Sequence, residues 1–169
     1  MLISREKMYS GKILKVYRTK RRMPNGVTVE LEEVGHPGAA IVLPYRNGKI
    51  VFIRQYRGVI DKFIWELPAG KIDPGETPRV CAMREAAEET GYEVKDLRKI
   101  GYIYTTPGFT DEKIHVYKAR CVSRVKVEKD RDELIRVVEL PVSRVKDMFR
   151  NGKISDAKTI AALAFAGVI

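Results

Sequence analysis

The sequence predicts an α/β fold in which helices sandwich a mixed β-sheet, with an antiparallel β arm in front. Three observations carry this. Asn25-Gly26 and Asn47-Gly48 each separate two strand-like runs, a strong hairpin signal because both residue types tolerate the positive φ of a type I′ turn. Strand-like segments dominate the first half and are interrupted by one helical segment. Two more helical segments then finish the chain, an order that fits a sandwich better than a regular strand–helix repeat.

In chain order, Val27, Val29 and Leu31 alternate with Thr28, Glu30 and Glu32, which reads as a strand with one apolar face. "AAIVLPY" and "KIVFIRQY" are more continuously apolar, as strands buried on both faces are. "FIWELP", "KIGYIYTT", "KIHVYKARCV" and "LIRVVELP" supply the remaining strands. Thr77-Pro78 opens the first helix: a hydroxyl N-cap, then the position where proline has no hydrogen bond to lose. Gly91 stops it. Val80, Met83 and Ala87 are expected to lie on the sheet, opposite the helix's glutamates. Ser143 to Asn151 and Asp156 to about Ala166 read as the closing helices. Residues 1–35, more charged and less apolar, read as a β arm that serves dimerisation, and 36–169 as the main domain.

With 169 residues, 44% of them hydrophobic, the chain is long enough for a sizeable core and not disordered. Its net charge of +10 comes from basic residues scattered over strands and turns, with only Lys20-Arg21-Arg22 forming a run, so nucleic acid is not the expected partner. Cys81 and Cys121 are isolated and no histidine stands at zinc-ligand spacing; neither a structural metal nor a disulfide framework is expected. No segment reads as a signal peptide or is apolar for long enough to span a bilayer. The expected location is cytoplasmic, with no membrane partner.

The chemistry concentrates in "AGKIDPGETPRVCAMREAAEETGY", residues 69–92. At roughly 100° per residue, Glu85, Glu88 and Glu89 fall within an arc of about 100°, so their carboxylates form one cluster. Like charges four apart repel by a few tenths of a kcal/mol on a solvated helix, and by more where water is excluded. A divalent cation is the natural compensation. Magnesium takes oxygen donors, keeps several waters and uses only one or two carboxylates per ion, so three glutamates suffice if the preceding loop adds a carbonyl from Ala69 or Gly70. Arg84 can orient a carboxylate, and Glu76 can organise the loop. A P-loop reading of "AGKID" fails because Trp65 stands where that motif needs glycine.

Gly70, five residues, Glu76, seven residues, then Arg84-Glu85-Ala86-Ala87-Glu88-Glu89-Thr90-Gly91-Tyr92 resembles the signature of the Nudix hydrolase family at every fixed position. The resemblance implies an α/β/α sandwich and Mg2+-dependent hydrolysis of a nucleoside diphosphate linked to another moiety. It implies two or three Mg2+ ions per site, with Mn2+ as a substitute. The metal set it carries over is Ala69, Glu85, Glu88 and Glu89.

"GHPGAAIVLPYRNGKIVFIRQYR", "WELPAGKIDPGE", "TTPGFTDEKIHVYKA" and "GKISDAKTIAALA" extend the likeness to the ADP-ribose pyrophosphatase branch over nearly the whole chain, and Pro107 holds the position by which that branch is recognised. Such enzymes split ADP-ribose into AMP and ribose 5-phosphate. Arg54 and Arg57 are then candidates for the diphosphate, Glu66 for a ribose hydroxyl or the adenine amino group, and Gly108 for substrate binding in the loop after Pro107. Glu89, Glu133 and Arg84 are the catalytic candidates. In the loop Lys129 to Ile135 an arginine, Arg131, stands where relatives place the carboxylate that activates water. Glu133 is the nearest replacement, Asp132 the next, and Glu89 a further choice. The alternatives are a related enzyme acting on NADH or a sugar nucleotide, or a non-catalytic ADP-ribose sensor, for which three metal carboxylates have no use. A homodimer is expected, the arm reaching the partner's substrate site rather than folding back on its own sheet.

Overall fold

The computed structural model describes residues 1–11, 14–127 and 134–169. The chain divides into two compact units, Met1–Gly38 with Tyr104–Lys113, and Ala39–Ile103 with Ile114–Ile169.

The first unit is a three-stranded antiparallel sheet, β1 (Leu2–Ser10), β2 (Lys15–Arg22) and β3 (Thr28–Gly35), in that spatial order. The β2–β3 turn is not the expected type I′. Met23 N donates to Val27 O at 2.8 Å, so the loop is Pro24-Asn25-Gly26, and only Gly26 has positive φ (84°). Proline fixes its own φ near −65°, which suits a three-residue loop closed by a left-handed glycine. Glu33 ties β3 to β2, accepting from Thr19 Oγ1 at 2.9 Å and Arg21 Nε at 2.5 Å. Segment 104–113 joins the β3 end of this sheet: Val34 N donates to Phe109 O at 2.7 Å and His36 N to Asp111 Oδ1 at 2.8 Å. A cavity of about 460 Å3 within the unit is lined by Arg5, Arg21, Glu33, Tyr104, Gly108 and Phe109, among others. Strand β1 is exposed along its whole length, and Leu2, Ile3, Met8, Val27 and Leu31 are all exposed.

The second unit holds β4 (Ala39–Arg46), β5 (Lys49–Arg57), β6 (Lys62–Glu66), β7 (Ala69–Lys71), α1 (Pro78–Thr90), most of β8 (Tyr92–Tyr104) and β9 (Lys113–Arg124), then β10 (Ile135–Pro141), α2 (Val142–Arg150) and α3 (Ala157–Phe165). Sheet order is β10-β5-β4-β9-β8, with β6 on β5 and β7 on β4. β4 runs parallel to β9 and antiparallel to β5 and β7, so the sheet is mixed. At the β4–β5 turn Asn47 (φ 48°) and Gly48 (φ 75°) are both left-handed, as a type I′ turn requires.

The layers follow from side-chain alternation along β4 and β5. Ile41, Leu43, Ile50 and Phe52 point to the core shared with Val145 and Met148 of α2 and Ala162 and Leu163 of α3. Ala40, Val42 and Val51 point the other way, to Cys81, Ala82 and Ala86 of α1. This is the expected α/β/α sandwich. Thr77 Oγ1 caps α1 by accepting from Val80 N, and Gly91 (φ 69°) ends it with its N–H on Ala87 O.

The packed face of α1 is not the expected one. Val80 is 52% and Met83 41% exposed, whereas Cys81, Ala82, Ala86, Glu89 and Thr90 are buried. Small residues let the helix backbone approach the sheet closely, and a closely seated helix leaves the longer Val80 and Met83 outside. Among the described residues no helix is long and apolar enough to cross a membrane.

Candidate active site

The loop before α1 is positioned by the sheet. In β7, Gly70 pairs with Ala40 and Ala69 with Ile41, which fixes the turn into α1. Arg84 then gathers the acidic residues. Its Nε and Nη2 donate to the two oxygens of Glu76, both at 2.9 Å, and Nη1 donates to Glu85 Oε1 at 2.6 Å and Glu88 Oε2 at 3.0 Å. Nη2 also reaches Lys71 O at 3.2 Å. One planar guanidinium thus binds three carboxylates and the loop.

Hydrogen bonding from Arg84 holds the Glu76 carboxyl below the usual carboxylate range, and the Arg84 guanidinium is raised above its ordinary value, chiefly by Glu76. Glu76 also accepts from Asp73 N at 3.1 Å, so it does organise the loop.

Gly70 has a steric reason to be glycine. A Cβ there would stand 2.7 Å from Glu85 Oε2 and closer still to Oε1 and Cδ, so any larger residue displaces that carboxylate. Glu89, only 4% exposed, lies on the packed side of α1 and accepts from Ala69 N at 3.0 Å. Behind the loop, the buried Cys81 thiol donates to Gly70 O and Lys71 O, both at 3.4 Å, a contact that no motif spacing signals. Burial pushes that thiol's pKa up to about 12.

The fit to a divalent cation rests on this donor set. Among the described residues no three acidic, histidine or cysteine side chains converge as a finished metal cage, since Arg84 and Ala69 N engage the glutamates. The chemistry still suits a hard cation. Three carboxylates project from one helix, and the opening over Gly70 leaves room for Glu85. Glu88, the most exposed of the three at 39%, can leave Arg84 with least loss.

The two arginines of β5 are separated by an odd offset, which sends their side chains to opposite faces of an extended strand. Arg54 lies over the rings of Trp65 (5.6 Å) and Phe63 (5.7 Å). Arg57 instead donates through Nε at 2.6 Å and Nη2 at 2.7 Å to the two oxygens of Glu66. Its guanidinium is raised, chiefly by Glu66, with Glu89 and Asp156 contributing.

Glu66 has no exposed surface and also accepts from Lys158 Nζ. With both oxygens engaged by side chains of the protein, it is not presented to a ribose hydroxyl or an adenine amino group. Burial raises its carboxyl, but Arg57 and Lys158 prevail and the net shift is downward. Asp156, Lys158 and Thr159 at the start of α3 complete the surroundings: Asp156 Oδ1 accepts from Lys158 Nζ at 2.8 Å, its Oδ2 from Thr159 N at 3.0 Å, and Thr159 Oγ1 from Leu67 N at 2.9 Å. No motif spacing assigns these residues a part. Only the N-cap pattern of Asp156 was available as a signal. Gly108 lies in the first unit, on the wall of its cavity. Glu133, Asp132 and Arg131 lie outside the described residues.

The chain is 40% identical over 166 residues to the ADP-ribose pyrophosphatase of Bacillus subtilis, covering 96% of this chain and 90% of that one. It is 39% identical over 166 residues to the methanol dehydrogenase activator of Bacillus methanolicus, with the same coverage. A solved structure described as an ADP compounds hydrolase superposes with a TM-score of 0.85 over 98% of this chain and 91% of that chain; at 22% identity this speaks for the fold. A family model of the NUDIX domain matches residues 35–163. With the loop, the arginine-bound acidic helix and the sandwich all in place, the chain belongs to the NUDIX family.

Proposed function

We propose that the protein hydrolyses the diphosphate of ADP-ribose to AMP and ribose 5-phosphate. The observation that carries this is the cluster of Glu85, Glu88 and Glu89 behind the gap over Gly70, and the 40% identity to an ADP-ribose pyrophosphatase narrows the substrate. Glu85, Glu88, Glu89 and the Ala69 carbonyl would hold Mg2+, or Mn2+ in its place. Such ions, two or three per site, neutralise diphosphate oxygens and lower the pKa of a bound water.

The chain's own residues do the rest. Arg84 keeps the carboxylates in one place while water still screens them, and the bond from Ala69 N keeps Glu89 aimed at the loop. Arg57, whose Nη1 lies outside the pair with Glu66, offers a cation to the diphosphate. Glu133 takes the proton of the attacking water, and Glu89 is the group to which that role passes if Glu133→Gln retains the wild-type pH–rate profile.

The protein works as a homodimer in this reading. The fully exposed β1 and the apolar side chains of the first unit need covering, and a second copy supplies a matching surface. Incubation with Mg2+ and a panel of ADP-ribose, NADH and a sugar nucleotide, followed by chromatographic identification of products, tests the substrate. Preferred cleavage of another member of the panel, or tight binding with no cleavage of any, overturns it. Sedimentation as a monomer at micromolar concentration overturns the dimer.

A further inference from the structure

We propose that Lys158 is a positioning residue: through the buried Glu66 carboxylate, the start of α3 sets the guanidinium of Arg57 in the orientation that receives a diphosphate. The inference rests on the reading of Arg57 given above.

The geometry is a relay of three links. Asp156 first caps α3 through Thr159 N with one oxygen and holds Lys158 Nζ at 2.8 Å with the other, so the lysine is fixed to the helix end. Lys158 Nζ then meets Glu66 Oε2, the same oxygen that takes Arg57 Nη2 at 2.7 Å. Glu66 finally grips the side-on edge of Arg57, Nε and Nη2, and leaves the Nη1 group outside that grip. The bond from Leu67 N to Thr159 Oγ1 at 2.9 Å locks the residue after Glu66 to the same helix turn.

The electrostatics give the lysine its purpose. A carboxylate with no exposed surface stays ionised only if cations replace its lost water. Were Arg57 the sole cation, Glu66 would draw its charge inward, and the guanidinium would be neutralised before any ligand arrived. Lys158, with its side chain only 19% exposed, carries part of that load and leaves more of Arg57's charge for an anion outside. The arginine and lysine meet at one oxygen, so removing the lysine should rotate or retract the arginine rather than unfold the sheet. Position, not contact, is what Lys158 contributes.

Lys158→Met, Lys158→Arg, Arg57→Ala and the Arg57→Ala/Lys158→Met pair, made in the full chain, test this through kcat and KM with the best substrate of the panel and through calorimetric binding of inorganic pyrophosphate. Lys158→Met should raise KM about tenfold with kcat within about threefold, and weaken pyrophosphate binding to a similar extent. Lys158→Arg should restore most of both. In the Arg57→Ala background Lys158→Met should add less than about twofold, because a relay has nothing left to relay. An equal effect with and without Arg57 would show direct contact with the ligand, and an unchanged KM would show a purely structural ion pair; either overturns the proposal. If Lys158→Met does not fold, Lys158→Gln, which keeps a neutral donor for Glu66, takes its place and should show a raised KM that the Arg57→Ala background abolishes, a normal KM there being equally fatal. A wild-type enzyme that prefers a substrate other than ADP-ribose defeats the substrate reading alone, since this cycle is then run with that substrate.

Discussion

Replacing Gly70 with alanine separates packing from chemistry at the acidic helix. Gly70 is not in the left-handed region, so alanine strains no backbone there and acts only through its Cβ. That atom would stand 2.7 Å from Glu85 Oε2 and closer to Oε1 and Cδ. Glu85 must retreat by roughly 1.5 Å to bring its carboxylate back to ordinary van der Waals distance, and a shift of even about an ångström in a reacting site can cost about 10²-fold in rate. The retreat also loosens the 2.6 Å bond from Arg84 Nη1. Because what moves is the end of a flexible side chain, the loss of stability should be only about 1 kcal/mol, at the low end for overpacking. Steady-state turnover at saturating Mg2+, with a thermal melt in parallel, reads both quantities. The expected result is a small change in Tm and a fall in kcat of about 10²-fold. Wild-type kcat in a folded Gly70→Ala protein would refute the placement of Glu85 at the working centre.

Further outcomes follow from the same geometry. Glu89→Gln keeps an acceptor for Ala69 N, so stability should hold or rise in metal-free buffer while kcat falls at least about 10²-fold; unchanged turnover would remove Glu89 from the metal set. Arg84→Met strips the shared cation from Glu76, Glu85 and Glu88 and should destabilise the metal-free protein by about 2 kcal/mol or more, with added Mg2+ raising its Tm more than it raises that of the wild type. Glu76, held low by Arg84, and Glu139, held low by Tyr92 with Arg46, are ionised in the fold at pH values where the unfolded chain binds protons. Their contribution is therefore present above the ordinary glutamate pKa of about 4.3 and lost as pH falls through their lowered values; in acid titration of stability Arg84→Met should show a shallower loss than wild type. Cys81 and Cys121, pushed up by burial to about 12 and about 11, should resist alkylation at pH 8 in the native protein and react once it is unfolded.

Local features of the fold and site were legible in the sequence, and those set by distant partners were not. The spacing from Gly70 to Tyr92 located the loop, the helix, its Thr77 cap, its Gly91 stop and the grip of Arg84, because all of these act within a few turns of chain. Asn47-Gly48 gave its hairpin correctly. Asn25-Gly26 did not give a type I′ turn, since Pro24 imposes its own φ on a longer loop. The packed face of α1 was misread because hydrophobicity favoured Val80 and Met83 over Cys81, Ala82 and Ala86. Close approach to a sheet selects for small side chains rather than apolar ones, and it carries Glu89 inward with them. The setting of Glu66 was not legible, since Lys158 lies far along the chain and only the tertiary fold brings the two together. Arg54 and Arg57 look equivalent in sequence, and strand alternation alone separates them.

We propose the acidic helix as the metal-dependent centre of an ADP-ribose hydrolase. Phosphorus NMR of ADP-ribose incubated with the protein, first with Mg2+ and then with a chelator, tests it most directly. The diphosphate resonances should give way to two phosphomonoester resonances, those of AMP and ribose 5-phosphate, with Mg2+ and not with the chelator. Intact diphosphate in both samples, or cleavage that the chelator leaves untouched, would contradict it.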